Sequence, residues 1–207
     1  AVMPHGTTAV VTDPHEIANV AGHEGLKYML DATENLKLDV FFMVPSCVPA
    51  TYLDESGAVL NAADIEPYFE NERVLGLAEL MNAYGVVNCD RNVIRKIAVS
   101  KKHNKIIDGH APALKGKELN GYAGVGIHSD HECVDIEEAI EKMQQGQWIM
   151  IREGTAAKNL EALVNLCSPQ YYQRCMFVTD DKHPGDLVKK GHMDYIIRKA
   201  VALGADP

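Results

Sequence analysis

Seven short apolar runs, each closing in polar residues and each followed by a helical pattern, constrain this chain more than any other feature. The runs are TTAVVTDP (7–14), LDVFFMVPSCVP (38–49), VLGLAEL (74–80), KIIDGHAP (105–112), YAGVGIHSDHE (122–132), WIMIREGT (148–155) and CMFVTDD (175–181). Most are rich in β-branched and aromatic residues and nearly continuous in hydrophobicity, which suits strands covered on both faces of a parallel sheet. Between them, Val93, Ile94, Ile97 and Ala98 share one face of a helical pattern, and Ile136, Ala139, Ile140 and Met143 share another. Asp135 is placed to cap the second pattern and Gly146 to stop it. HEIANVAGHEGLKYMLDATEN, KNLEALVNLC and GDLVKKGHMDYIIRKAVALG read as helices too.

This alternation predicts the α/β class with a parallel sheet. Successive polar endings, from Asp13 through Ser46, Glu79, His110, His131 and Glu153 to Asp180, lie about 20 to 35 residues apart. A (β/α)8 barrel has roughly 31 residues per unit. The expected architecture is therefore a TIM barrel of (β/α)8 type, incomplete, with about seven strand–helix units. A doubly wound sheet is the alternative, but VVTDPHEIANV lacks the glycine-rich phosphate loop usual after its first strand. No Pro/Gly-rich linker divides the 207 residues, so 1–207 reads as a single, partial barrel domain. The abrupt start, without Met, suggests a fragment.

Composition removes several function classes. Net charge is -9, and the densest basic spots, VKKGH and SKKHNK, are short, so no nucleic-acid partner is expected. No apolar run approaches a membrane span of about 18 residues, and no signal peptide is evident at the start, so a cytoplasmic location is expected. The five cysteines form no C-x-x-C pair and are odd in number, which argues against a disulfide framework or a zinc ribbon.

In a barrel the strand ends converge on one face, where the active site sits. That face would gather Asp13, His15, Glu16, Ser46, Glu79, His110, His131, Glu132, Arg152, Glu153 and Asp180. Imidazole and carboxylate from different strands suit a divalent transition metal. A glycosidase-like carboxylate pair, such as Glu79 with Asp180, is the rival use, but leaves the histidines without a role. His128 reads as structural or supporting; His5, His23, His103, His183 and His192 read as surface, helix-end or supporting residues.

Taken in order, PHGTTAVVTDPHEIANV, DVFFMVPSCVPAT, VLGLAELMN, IIDGHAPALKGKELNGY, GIHSDHEC, IREGTAAKNL and TDDKHPGDL resemble the amidohydrolase superfamily over almost the whole chain. The resemblance implies a metal barrel with Glu79 as bridging carboxylate, His110 and His131 as ligands and Asp180 as the final aspartate. It implies Mn or Fe, with Zn as an alternative: two ions in the intact protein, one or none in this fragment. The family's His-x-His pair after its first strand occurs nowhere in these residues.

The implied reaction is hydrolytic deamination of adenine to hypoxanthine and ammonia, so the implied partner is a small purine. Asp180 would move the water proton, Glu132 or Glu153 would protonate N1, and Asp13, His15, Glu16, Ser46 and Arg152 would line or hold the substrate. The alternatives are an amidohydrolase acting on a cyclic amide or imide, and a non-catalytic, self-associating fragment. Homo-oligomers are expected, because a missing strand leaves unpaired sheet edges.

Overall fold

A computed structural model describes residues 1–207. The seven expected strands are β1 (Ala9–Thr12), β2 (Asp39–Val44), β3 (Val74–Leu80), β4 (Ile106–Gly109), β5 (Ser129–Asp130), β6 (Trp148–Arg152) and β7 (Cys175–Val178). Every strand pair is parallel. This is the α/β organisation expected from the alternation, with strands in sequence order as in an incomplete (β/α)8 unit series. The strands form a four-stranded sheet, β1-β2-β3-β4, and a three-stranded sheet, β5-β6-β7.

The chain parts into two compact units. The β1–β4 unit comprises Ala9–His110 and Gly121–His128; the β5–β7 unit comprises Ala1–Thr8, Ala111–Asn120 and Ser129–Pro207. In the first, β3 is buried along nearly its whole length, and Phe42, Val44, Leu77, Leu80 and Ile107 form the apolar interior. In the second, Ile149 and Ile151 of β6 pack with Leu160, Leu163, Leu166 and Ile196. Burying a side chain of this size contributes about 1.5–3 kcal/mol. The terminal strands depart from the expectation of two covered faces. β1 alternates exposed and half-buried residues, and β7 is only half-buried.

The helices are α1 (His15–Ala32), α2 (Ala62–Ile65), α3 (Ala83–Val87), α4 (Arg91–Lys102), α5 (Gly116–Gly124), α6 (Ile136–Gln144), α7 (Leu160–Leu163), α8 (Pro184–Lys189) and α9 (Met193–Ala202). The cap expected for α6 is present: the Asp135 carboxylate accepts from Glu138 N at 2.7 Å. Four expectations are corrected. The run 122–132 is not a strand: Tyr122–Gly124 finish α5, and only Ser129–Asp130 pair in a sheet. Leu119 and Tyr122, three apart on α5, are both fully buried, so a helical face rather than a strand face takes this apolar surface inside. The pattern near the C-terminus divides into α8 and α9 at Gly191, whose φ of +110° an L side chain rarely adopts. Finally, α1 is interrupted at Gly22, and α7 is one turn continued by a 3-10 turn, Val164–Leu166.

Candidate functional site

In the β1–β4 unit, three strand ends bring imidazoles onto carboxylates. Asp13 follows β1, His15 opens α1, Glu79 lies in β3 and His110 follows β4. His110 Nδ1 lies 2.8 Å from Glu79 Oε2. His15 Nδ1 lies 3.5 Å from Glu79 Oε1 and 3.3 Å from Asp13 Oδ1, while its Nε2 lies 3.2 Å from Glu16 Oε1. One ligand atom each from Asp13, His15 and Glu79 falls within 4.8 Å of the others.

The close carboxylates of Asp13 and Glu16, placed to accept the ring's protons, push the His15 imidazole up to about 11, against the opposing cost of burial. Burial raises Asp13 to about 6, and the His15 contact holds Glu16 below the usual range. The surrounding carboxylates therefore favour the protonated, positively charged form of this ring.

Two further groups brace these strand ends. Ser46, expected to touch substrate, is buried; its hydroxyl donates to the Glu79 carbonyl at 2.5 Å, and its own carbonyl accepts from buried Lys96 at 2.7 Å. The Tyr122 hydroxyl donates to Leu80 O at 2.8 Å and accepts from His110 N at 2.9 Å, tying the end of β3 to the residue after β4.

In the β5–β7 unit the strand ends gather around a guanidinium. Arg152, closing β6, grips both Glu132 oxygens, at 2.5 and 2.7 Å, and reaches Asp180 Oδ2 at 2.6 Å. Such two-point contacts fix orientation as well as charge. His131 Nε2 lies 3.5 Å from Glu132 Oε1, and one ligand atom each from His131, Glu132 and Asp180 falls within 4.8 Å of the others. Asp180 rather than its neighbour Asp181 meets Arg152, and does so with a left-handed backbone, φ +53°. At Gly154 an added Cβ would sit 2.6 Å from Thr179 O and 2.7 Å from Asp181 O, so only glycine lets the loops after β6 and β7 approach this closely. Glu153 lies apart from the Arg152 cluster: it is buried and pairs with Lys199 at 2.8 Å.

Four supporting residues carry no clear mark in the sequence: Lys96, Tyr122, Lys142 and Asn159. Asn159 donates to His131 O and Cys133 O, both at 3.0 Å, and accepts from Arg152 N at 2.7 Å. Only the Glu138–Lys142 spacing on α6 offers a signal, and i,i+4 pairs usually mark a solvated face.

Residues 1–194 match the Amidohydrolase family, and the chain belongs to that family. It is 50% identical over 206 residues to an adenine deaminase of Clostridium acetobutylicum and 48% identical to one of Desulfatibacillum aliphaticivorans. It is also 48% identical to "Adenine deaminase 2" of Carboxydothermus hydrogenoformans. All of this chain is covered in each case, and the chain spans 36% of the length of each of these relatives. Among solved structures it is similar to a 3-keto-L-gulonate-6-phosphate decarboxylase from Vibrio cholerae, with a TM-score of 0.52 over 95% of this chain and 86% of that one. At 12% identity that likeness concerns the fold alone.

Proposed function

We propose that this chain supplies catalytic barrel segments to a metal-dependent hydrolase that converts adenine and water to hypoxanthine and ammonia. The observation that carries the reading is the Arg152–Glu132–Asp180 cluster beside His131. It places two carboxylates around one fixed cation in a chain half identical to adenine deaminases. The donor chemistry of both units fits a divalent cation, since carboxylate oxygens and imidazole nitrogens cluster within each. The proposed ligands are Glu79, His110, His131 and Asp180, with Mn or Fe as the ion, and the longer protein would hold two. When bound, a divalent ion supplies Lewis acidity and lowers the pKa of water.

The chain's own residues then handle protons. Asp180 accepts a proton from the attacking water and passes it to the departing amine. The water oxygen bonds to C6, the C6–N6 bond breaks, and the second water proton ends on N1. Glu132 is favoured over Glu153 for delivering it, because it shares Arg152 with Asp180, whereas Glu153 lies apart and pairs with Lys199. Asp13, His15, Glu16 and Ser46 remain the proposed pocket residues, with Ser46 acting through the Glu79 backbone.

The test is elemental analysis of the purified chain after Mn(II) or Fe(II) loading, beside an absorbance assay of adenine conversion. Metal near one per chain supports the ligand set, and turnover supports the reaction. Metal without turnover assigns the missing activity to sequence beyond this chain. No retained metal overturns the ligand set. No helix is long and apolar enough to cross a membrane, and a cytoplasmic location is proposed on that footing. Homo-oligomers are proposed from the end positions of β1 and β7 in their sheets. A monomer by sedimentation at high concentration overturns that.

A further inference from the structure

Helix α6 places a lysine wholly inside the β5–β7 unit. The side chains of Lys142 and Asp130 have no exposed surface, and that of Glu138 is 1% exposed. The ammonium spends all three protons: on Ala111 O at 2.6 Å, Glu138 Oε1 at 2.7 Å and Asp130 Oδ2 at 2.9 Å. Two carboxylates outnumber one cation, and backbone amides meet the surplus charge. Asp130 accepts from Ala111 N at 2.7 Å and Glu132 N at 3.0 Å; Glu138 accepts from Ala113 N at 2.8 Å and Val134 N at 3.4 Å.

Stability alone does not explain such a network. Replacing a buried ion triad by apolar groups is commonly neutral or stabilising, because desolvation offsets the attraction. What the triad does that apolar packing does not is address individual backbone atoms. The segments it holds, 111–113 and 131–134, lie outside helices and strands, and β5 is only two residues long. His131 and Glu132 sit within the second segment, and the first follows His110 in the chain.

We infer that Lys142 is a positioning residue, which through Asp130 and Glu138 sets the loop that aims His131 and Glu132 and fixes the residue after His110. Its ammonium bonds Asp130, Glu138 and the Ala111 carbonyl rather than the side chain of His131 or Glu132. The inference rests on the metal-dependent reading above for its functional meaning.

Lys142→Met alone leaves two buried carboxylates without a cation, so the deciding variant is the neutral triple K142M/D130N/E138Q. Circular dichroism and thermal melting report the fold. Amide hydrogen exchange in metal-free protein reports the loops, and Mn(II) titration calorimetry with the Co(II) visible spectrum reports the ligands. The expected triple variant is folded, exchanges about 10-fold faster in 111–113 and 131–134 than the parent, and binds Mn(II) about 10–100-fold more weakly with an altered Co(II) spectrum. A folded triple variant with parental loop exchange and Mn(II) affinity within about twofold overturns the inference. Failure of both single and triple variants to fold makes the triad a stability element and also overturns it. If the parent itself binds no Mn(II), the metal reading fails, and loop exchange alone decides whether Lys142 positions His131 and Glu132.

Discussion

The two compact units solve one problem with different cations. Around Glu79 in the β1–β4 unit, the partners of the carboxylates are imidazoles, His15 and His110. In the β5–β7 unit they are Arg152, Lys142 and Lys199, which stay charged through the physiological range. An imidazolium can give up its proton and become a metal ligand; a guanidinium cannot. The contrast is between carboxylates that face titratable rings in the first cluster and carboxylates held by permanent cations in the second.

The largest expected effect tests the fixed cations. Lys142→Ala strands two buried carboxylates and should cost about 3–5 kcal/mol in urea denaturation. Lys96→Met in the β1–β4 unit should cost under about 1 kcal/mol. Lys96 is also buried, but its one hydrogen bond goes to the Ser46 carbonyl, and burial lowers its pKa. Equal losses at both lysines would break the comparison. Next, Leu77→Ala and Ile151→Ala, both fully buried, should each cost about 2–5 kcal/mol, because deleting core methyls leaves a cavity in either unit. Two separate unfolding transitions, each shifted by one variant alone, would show that the units melt independently.

The pH response separates the units by sign. His15 is raised from 6.5 to about 11, so its stabilising contribution is full below 6.5 and declines as pH rises towards 11. Asp13, raised from 3.8 to about 6, likewise favours the fold only on the acid side. In the β5–β7 unit Asp130 is lowered by Lys142 and backbone donors against a large burial cost, so its contribution is present above 3.8 and is lost as pH falls through its folded value. Burial raises the Cys175 thiol from 9.0 to about 12, which matters only above 9. Between about 6.5 and 9, hydrogen exchange in chelated protein should show the β1–β4 unit weakening while the β5–β7 unit stays level. The reverse order would sink the assignment of charges. The smallest effects are the helix caps. Asp90, which accepts from Asn92 N and Val93 N, and Asp135, which accepts from Glu138 N, should each lose about 1 kcal/mol on mutation to alanine, with no difference between units.

Much of the fold and of both clusters is legible in the order of the residues. Val74–Leu80 and Trp148–Arg152 lie where short, nearly continuous apolar runs point to strands, and Asp13, Glu79, His110, Arg152 and Asp180 lie at or near strand ends. The 122–132 run misleads because short, glycine-interrupted apolar stretches do not distinguish a helix end from a strand by periodicity. The choice falls to Tyr122, whose hydroxyl finds Leu80 and His110 only once α5 is in place.

The sequence by itself determined six of the seven strands, the parallel α/β order, the cap of α6, and the polar character of the strand ends, because each follows from local periodicity and side-chain chemistry; β5 it placed only within a longer run that is mostly helix end and loop. Only the tertiary structure decided that Arg152 takes Glu132 and Asp180 while Glu153 takes Lys199, and that Lys96 and Lys142 are buried. A charged side chain goes inside only if its partners converge on it, and those partners lie up to 50 residues away along the chain.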